Sequence, residues 1–144
     1  MSSAEAASGI AGCRFIDLPR IADSRGALSF CEGGNHLPFD IARVFYMYEL
    51  PTGSHRGAHA HHEASVAVFM LAGASDVLLD DGKRRQTLLL DRPDRGLLIG
   101  PGIWHELENF AAGSVCLVLA SHRYDEADYM RDYEDFRRHA GRQA

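Results

Sequence analysis

Long apolar runs, paired cysteines and an excess of basic residues are all missing from this chain, and each absence closes off a class of function. The longest apolar stretch, Val66–Leu79, is broken by Gly73, Ser75 and Asp76, so no segment is expected to span a bilayer. Residues 1–12 are small and polar, with neither a basic start nor a continuous apolar core, which argues against a secretory leader. Cys13, Cys31 and Cys116 are odd in number, widely spaced and form no C-x-x-C pair, the pattern of reduced thiols in a cytoplasmic protein. Cys116, inside the apolar run Val115–Leu119, reads as a small buried hydrophobe. A net charge of −5 and a pI near 5.9 speak against general affinity for nucleic acid or anionic membrane. An anionic small molecule stays open, because local arginines override the global sign.

Helical periodicity is the other absence. From Ile16 to Ala120 the chain reads as short strands with a turn signal roughly every eight to twelve residues, the rhythm of a β-sandwich or jelly roll. A parallel α/β sheet would need helices between its strands. Breaks fall at Asp23-Ser24-Arg25-Gly26, Glu32-Gly33-Gly34-Asn35, Asp80-Asp81-Gly82-Lys83, Arg92–Gly96 and Asn109–Gly113. Arg43–Leu50 is an aromatic-rich strand whose alternation sets Val44, Tyr46 and Tyr48 on one face and Phe45 and Met47 on the other. Only Asp125–Arg138, charged and aromatic, reads as a short helix or cap. At 144 residues, 46% hydrophobic and 24% charged, the chain suits one globular domain spanning 1–144, with 1–12 expected to form a flexible tail.

Against this background the segment Arg56-Gly57-Ala58-His59-Ala60-His61 stands out. Strand alternation points His59 and His61 to one face, and the small residues around them leave room for a ligand. Pro101-Gly102-Ile103-Trp104-His105 offers a third imidazole at the start of another strand. Three readings stay open for His59, His61 and His105. They can be polar residues of a solvated face. They can hold a transition metal, although Ser65 stands where a carboxylate ligand would be expected and Glu63 would have to reach from an unusual position. Or they can perform metal-free acid–base chemistry, since adjacent imidazoles disfavour double protonation and one remains a base, which suits proton abstraction next to a carbonyl.

Arg43 and Arg56 flank the strands carrying Tyr46 and the histidines, and guanidinium is the preferred bidentate partner of phosphate. Each alone is most simply a solvated surface charge. Trp104 and Tyr46 can stack on a base or sugar, although an aromatic in a sandwich is more often core. Glu106 and Glu108 fall on the face opposite His105 and are expected to meet solvent, while alternation sends His62 away from its neighbours.

With these residues in view the chain resembles the nucleotide-sugar 3,4-ketoisomerases, WxcM-like enzymes acting on dTDP-4-keto-6-deoxyglucose. The resemblance is carried by Asp23-Ser24-Arg25-Gly26, Arg43-Val44-Phe45-Tyr46, Arg56–His61, Leu79–Gly82, Pro101–Glu106, Val118–Ser121 and Tyr124–Tyr133. It implies an all-β, cupin-type jelly roll (double-stranded β-helix) with a short C-terminal helical cap, working as a homodimer without metal or other cofactor. It also implies that His59 and His61 are the catalytic pair: His59 the base for C3, His61 moving the hydroxyl proton or holding the enediol, with Tyr46 a donor to an oxygen. Arg25, Arg43, Arg56, Trp104 and His105 become candidate substrate contacts. Arg25 together with His105 resembles members that yield the galacto-configured 3-keto sugar, which feeds amino-sugar synthesis for surface polysaccharide. The chain departs from its relatives at Ser65-Val66, where they carry Glu-Gln, and at His122-Arg123. A 3,5-epimerase, a metal-dependent cupin enzyme and a non-catalytic sugar-nucleotide binder are the alternatives.

Overall fold

A computed structural model describes residues 9–143 of the chain. Its strands are β1 (Cys13–Asp17), β2 (Arg20–Asp23), β3 (Gly26–Ser29), β4 (Arg43–Met47), β5 (Arg56–His61), β6 (Val66–Ala72), β7 (Ser75–Asp80), β8 (Arg85–Leu90), β9 (Arg95–Ile99), β10 (Trp104–Glu108), β11 (Val115–Ala120) and β12 (Tyr129–Met130). A 3-10 turn (Glu126–Asp128) precedes β12, and helix α1 (Tyr133–Gln143) follows it. Two five-stranded antiparallel sheets, ordered β1-β9-β6-β11-β4 and β12-β5-β10-β7-β8, face each other as a cupin-type jelly roll, and β2 pairs with β3 as a separate hairpin.

The core lies between the sheets. Phe15, Val66, Val68, Met70, Leu97, Ile99, Cys116 and Val118 from one sheet meet Val77, Leu79, Leu90 and Leu107 from the other. Alternation explains most of this, as Phe45 and Met47 turn inward while Val44 and Tyr46 stay outside. β6 is the exception. Its consecutive Val66–Met70 are all buried because Phe69 and Ala67 face a second cluster with Leu37, Ile16 and Leu119 on the outer side of the sheet. A strand covered on both faces loses the alternating pattern.

The outer face of the second sheet is covered by α1. Asp132 caps that helix by accepting from the Asp135 amide at 3.0 Å, and Phe136 packs with Trp104, Ala60 and Met130. Asp80 anchors its first turn. The buried carboxylate accepts from the Tyr133 hydroxyl at 2.6 Å, from Arg85 Nε at 2.9 Å and from the Gly82 amide at 2.7 Å.

Two expectations are corrected. The flexible tail expected over 1–12 does not extend to its last residues: Ile10 is buried in the core, and the Gly12 carbonyl accepts from the Gly100 amide at 2.9 Å. Residues 1–8 lie outside the described residues. Glu106 is on the face opposite His105, yet it does not simply meet solvent, because it accepts from Trp104 Nε1 at 2.7 Å and pairs with His55 Nε2 at 2.7 Å.

Candidate active site

His59 and His61 project from β5 into the end of the core, where apolar side chains would otherwise close the sandwich. They line a cavity of about 210 Å³ with Arg56, His105, Tyr129, Arg131 and the apolar wall Phe45, Met47, Val66, Val68 and Val118. His105 sits directly opposite His59 in the β10–β5 register. Ring centroids are 5.1 Å apart for His59–His61, 4.7 Å for His59–His105 and 5.7 Å for His61–His105.

A β-bulge shapes the rest of the rim. His105 pairs with His59 and Glu106 with Gly57, so Ala58 is an extra residue on β5. Both Gly57 and Ala58 adopt positive φ, +82° and +63°. Plain alternation from His59 would turn Arg56 away from the cavity. The inserted residue reverses the parity and brings Arg56 onto the histidine side, opposite Leu107.

The electrostatics keep the imidazoles neutral. Burial is the main cause, and neighbouring His105, His61 and Arg131 add to it, holding His59 down at about 3. His61 is held at about 3 by burial, then by His105, Arg43 and Arg131. His105, wholly enclosed, is also pushed below the ordinary histidine value by burial. Its Nδ1–H donates to the Ile103 carbonyl at 3.1 Å, which leaves a lone pair on Nε2. His59 Nδ1 and His61 Nε2 are buried without a hydrogen-bond partner, the condition of groups that await a ligand.

One nitrogen from each of His59, His61 and His105 lies within 4.8 Å of the others, so the set fits three-imidazole ligation of a transition metal. Among the described residues no carboxylate joins this cluster. β5 ends at His61, and Glu63, in the turn beyond, is exposed.

The other sequence candidates divide. Arg43 borders the site, donating from Nη2 to the Tyr129 hydroxyl at 3.2 Å. Tyr46 does not join it: the side chain is 62% exposed on the outer face of β4, beside Tyr48, because alternation gives the inner face to Phe45 and Met47. Trp104 does not join it either, being one residue out of phase with His105 and buried under Tyr133 and Phe136. Arg25 lies at the tip of the exposed β2–β3 hairpin, paired with Asp23 at 2.6 Å and away from the cavity lining of its own chain. His62 turns away as expected and stacks on His139. Ser65 is tied to the Ser121 hydroxyl through its amide, while Val66 contributes to the cavity wall.

Two residues not singled out from the sequence complete the site. Tyr129 packs edge-on against His59 and His61, at 4.9 and 4.6 Å between centroids. Arg131 lies 4.3 Å above the Tyr129 ring and is held by Glu126 at 2.7 and 3.0 Å.

The family model described as FdtA: WxcM-like, C-terminal matches residues 11–141. TDP-4-oxo-6-deoxy-alpha-D-glucose-3,4-oxoisomerase of Aneurinibacillus thermoaerophilus is 40% identical over 126 residues, 88% of this chain and 91% of the relative. The chain belongs to the WxcM-like 3,4-ketoisomerase family. It is an isomerase. Solved ketoisomerases share the fold closely. The 3,4-ketoisomerase QdtA of Thermoanaerobacterium thermosaccharolyticum, a mutant in complex with TDP-4-keto-6-deoxyglucose, superposes with TM-score 0.91 at 34% identity, covering 93% of this chain and 97% of that one. The WlaRB TDP-quinovose 3,4-ketoisomerase of Campylobacter jejuni gives 0.86 at 42% identity, covering 90% and 99%. Within this ketoisomerase chain, the histidine cavity is where two strands, a bulge and the C-terminal segment converge.

Proposed function

We propose that the chain moves the carbonyl of a dTDP-4-keto-6-deoxyhexose from C4 to C3 through an enediol, with His59 as the base at C3. The observation that carries this reading is the neutral His59–His61 pair lining a cavity whose cationic members are Arg56 and Arg131. A C3 proton is acidic because the C4 ketone accepts the electron pair it leaves behind, and a neutral buried imidazole is ready to take it. The diphosphate matters to the chemistry as well as to binding. An anion beside the histidines favours their protonated form and offsets part of the effect by which burial depresses them.

His59 returning the hydrogen to C4 on the same face gives the galacto configuration, because H3 and H4 lie on one face in that sugar. A 3-keto-6-deoxygalactose is a substrate for transamination toward surface-polysaccharide amino sugars, and we assign the enzyme to the cytoplasm.

We further infer a homodimer. Every residue of β2 and β3 is exposed, including Ile21 and Leu28 at 58% each, and the hairpin pairs with no other strand among the described residues. A second copy would cover these apolar side chains and bring Arg25 of one chain to the histidine cavity of the other.

Incubation with dTDP-4-keto-6-deoxyglucose, followed by 13C NMR of the sugar, tests the reading. A new ketone at C3 supports it. A ketone that stays at C4 with inversion at its neighbours indicates an epimerase, and bound but unchanged sugar indicates a binding protein.

A further inference from the structure

We propose that Tyr129 is the acid that serves the sugar oxygens, donating to O4 as the C3–H bond breaks and recovering its proton through His61. The inference rests on the ketoisomerase reading and adds a residue to it. β12 pairs with β5 so that Tyr129 lies directly opposite His61, and Tyr129 is the one phenol in the cavity lining. Arg43 donates to the phenol oxygen at 3.2 Å, so the oxygen's acceptor role is filled and its own proton is available to a ligand. Packing alone would be served equally by phenylalanine.

The residues around Tyr129 hold it in place. Arg131 lies over the ring, clamped by Glu126, and Glu126 in turn accepts from the Tyr124 hydroxyl at 2.7 Å. Arg43 Nε is buried without a partner, leaving that guanidinium with an unspent donor beside the phenol. Charge that develops on the phenol oxygen therefore meets a fixed cation, which is how pre-organised sites lower a barrier.

The steps balance. His59 takes the proton from C3; the C–H pair becomes the C3=C4 double bond, and the C4=O π pair moves onto O4. Tyr129 gives its proton to O4 and is left as phenolate beside Arg43. His61 takes the proton from O3, the O–H pair becomes the C3=O bond, and the C3=C4 pair takes a proton at C4 from the His59 imidazolium. The His61 imidazolium, its ring 4.6 Å from that of Tyr129, returns a proton to the phenolate, and each group ends as it began.

The test is Tyr129→Phe in the full chain, which keeps the ring and its stacking, assayed with dTDP-4-keto-6-deoxyglucose beside the wild type. We expect kcat to fall about 100-fold or more, the range seen when one pre-organised donor is removed, with the Kd for TDP within threefold and an unchanged circular-dichroism melt. Arg43→Gln, which keeps Tyr129 but removes its cation, is expected to lower kcat about tenfold with Kd again little changed. An active wild type and a variant Tyr129→Phe within threefold of its kcat overturn the proposal alone. Equal loss of turnover and TDP binding also overturns it, since that marks a structural role. A wild type inactive toward this sugar overturns the functional reading and the proposal together.

Discussion

Gly57 lies against the carbonyl oxygen of His105, so closely that a β-carbon on Gly57 would sit 3.0 Å from that atom. Its φ of +82° adds a second constraint, since a side chain in the left-handed region costs about 1–2 kcal/mol. The glycine is therefore what permits the bulge that turns Arg56 into the cavity. Gly57→Ala is expected to lower the thermal midpoint and to weaken TDP binding at least tenfold. Unchanged TDP affinity, measured by calorimetry, would separate the bulge from ligand binding.

The pH dependence follows from the depressed histidines. His59 and His61 titrate near 6.5 when free and about 3 when folded. As pH falls below about 6.5, the unfolded chain takes up protons that the folded chain refuses, so stability declines progressively toward pH 3; above 6.5 the two groups contribute nothing. The double variant with His59→Asn and His61→Asn should show a shallower fall in thermal midpoint across this window. For activity, kcat/KM should stay level from pH 8 to well below 6.5, and an acid limb centred at 6.5 would contradict neutral buried bases.

Much of this organisation can be read from the residues, and the exceptions have physical causes. The grouping of Phe45 with Met47 on one face and the shared face of His59 and His61 follow from a period of two, and the Asp80–Lys83 turn follows from its Asp-Gly pair. Arg56 reaches the site only because Ala58 is inserted, and the signal is Gly57 just before it. Tyr46 is a phenol close in sequence to the histidine strand, but its own strand turns it outward. Tyr129 was hidden because β12 is two residues long, too short for any periodicity, inside a charged run that suggests a cap. Trp104 precedes His105 by one residue, and that single step sends it to the helix-covered face.

Chelation separates the acid–base account from metal chemistry. Three imidazoles within 4.8 Å fit a metal, so the account makes a definite claim: prolonged EDTA treatment leaves turnover within twofold of the untreated enzyme. Loss of activity on chelation, restored by one equivalent of zinc or iron and matched by elemental analysis, would contradict it.

The hairpin supplies a further test. With Ile21 and Leu28 exposed on adjacent strands, light scattering should report twice the monomer mass, and the variant carrying Ile21→Arg and Leu28→Arg should run as a monomer with reduced turnover. A fully active monomer in the wild type would remove the partner's Arg25 from the site.

The central claim is that His59 takes the proton from C3, exchanges with solvent as the imidazolium and delivers a proton to C4, and isotope exchange reads it directly. In D2O with dTDP-4-keto-6-deoxyglucose, the wild type should yield 3-keto sugar bearing deuterium at C4. His59→Ala should incorporate no deuterium at C3 or C4 while binding TDP within threefold of the wild type. Deuterium entering either carbon at the wild-type rate in His59→Ala would contradict the account.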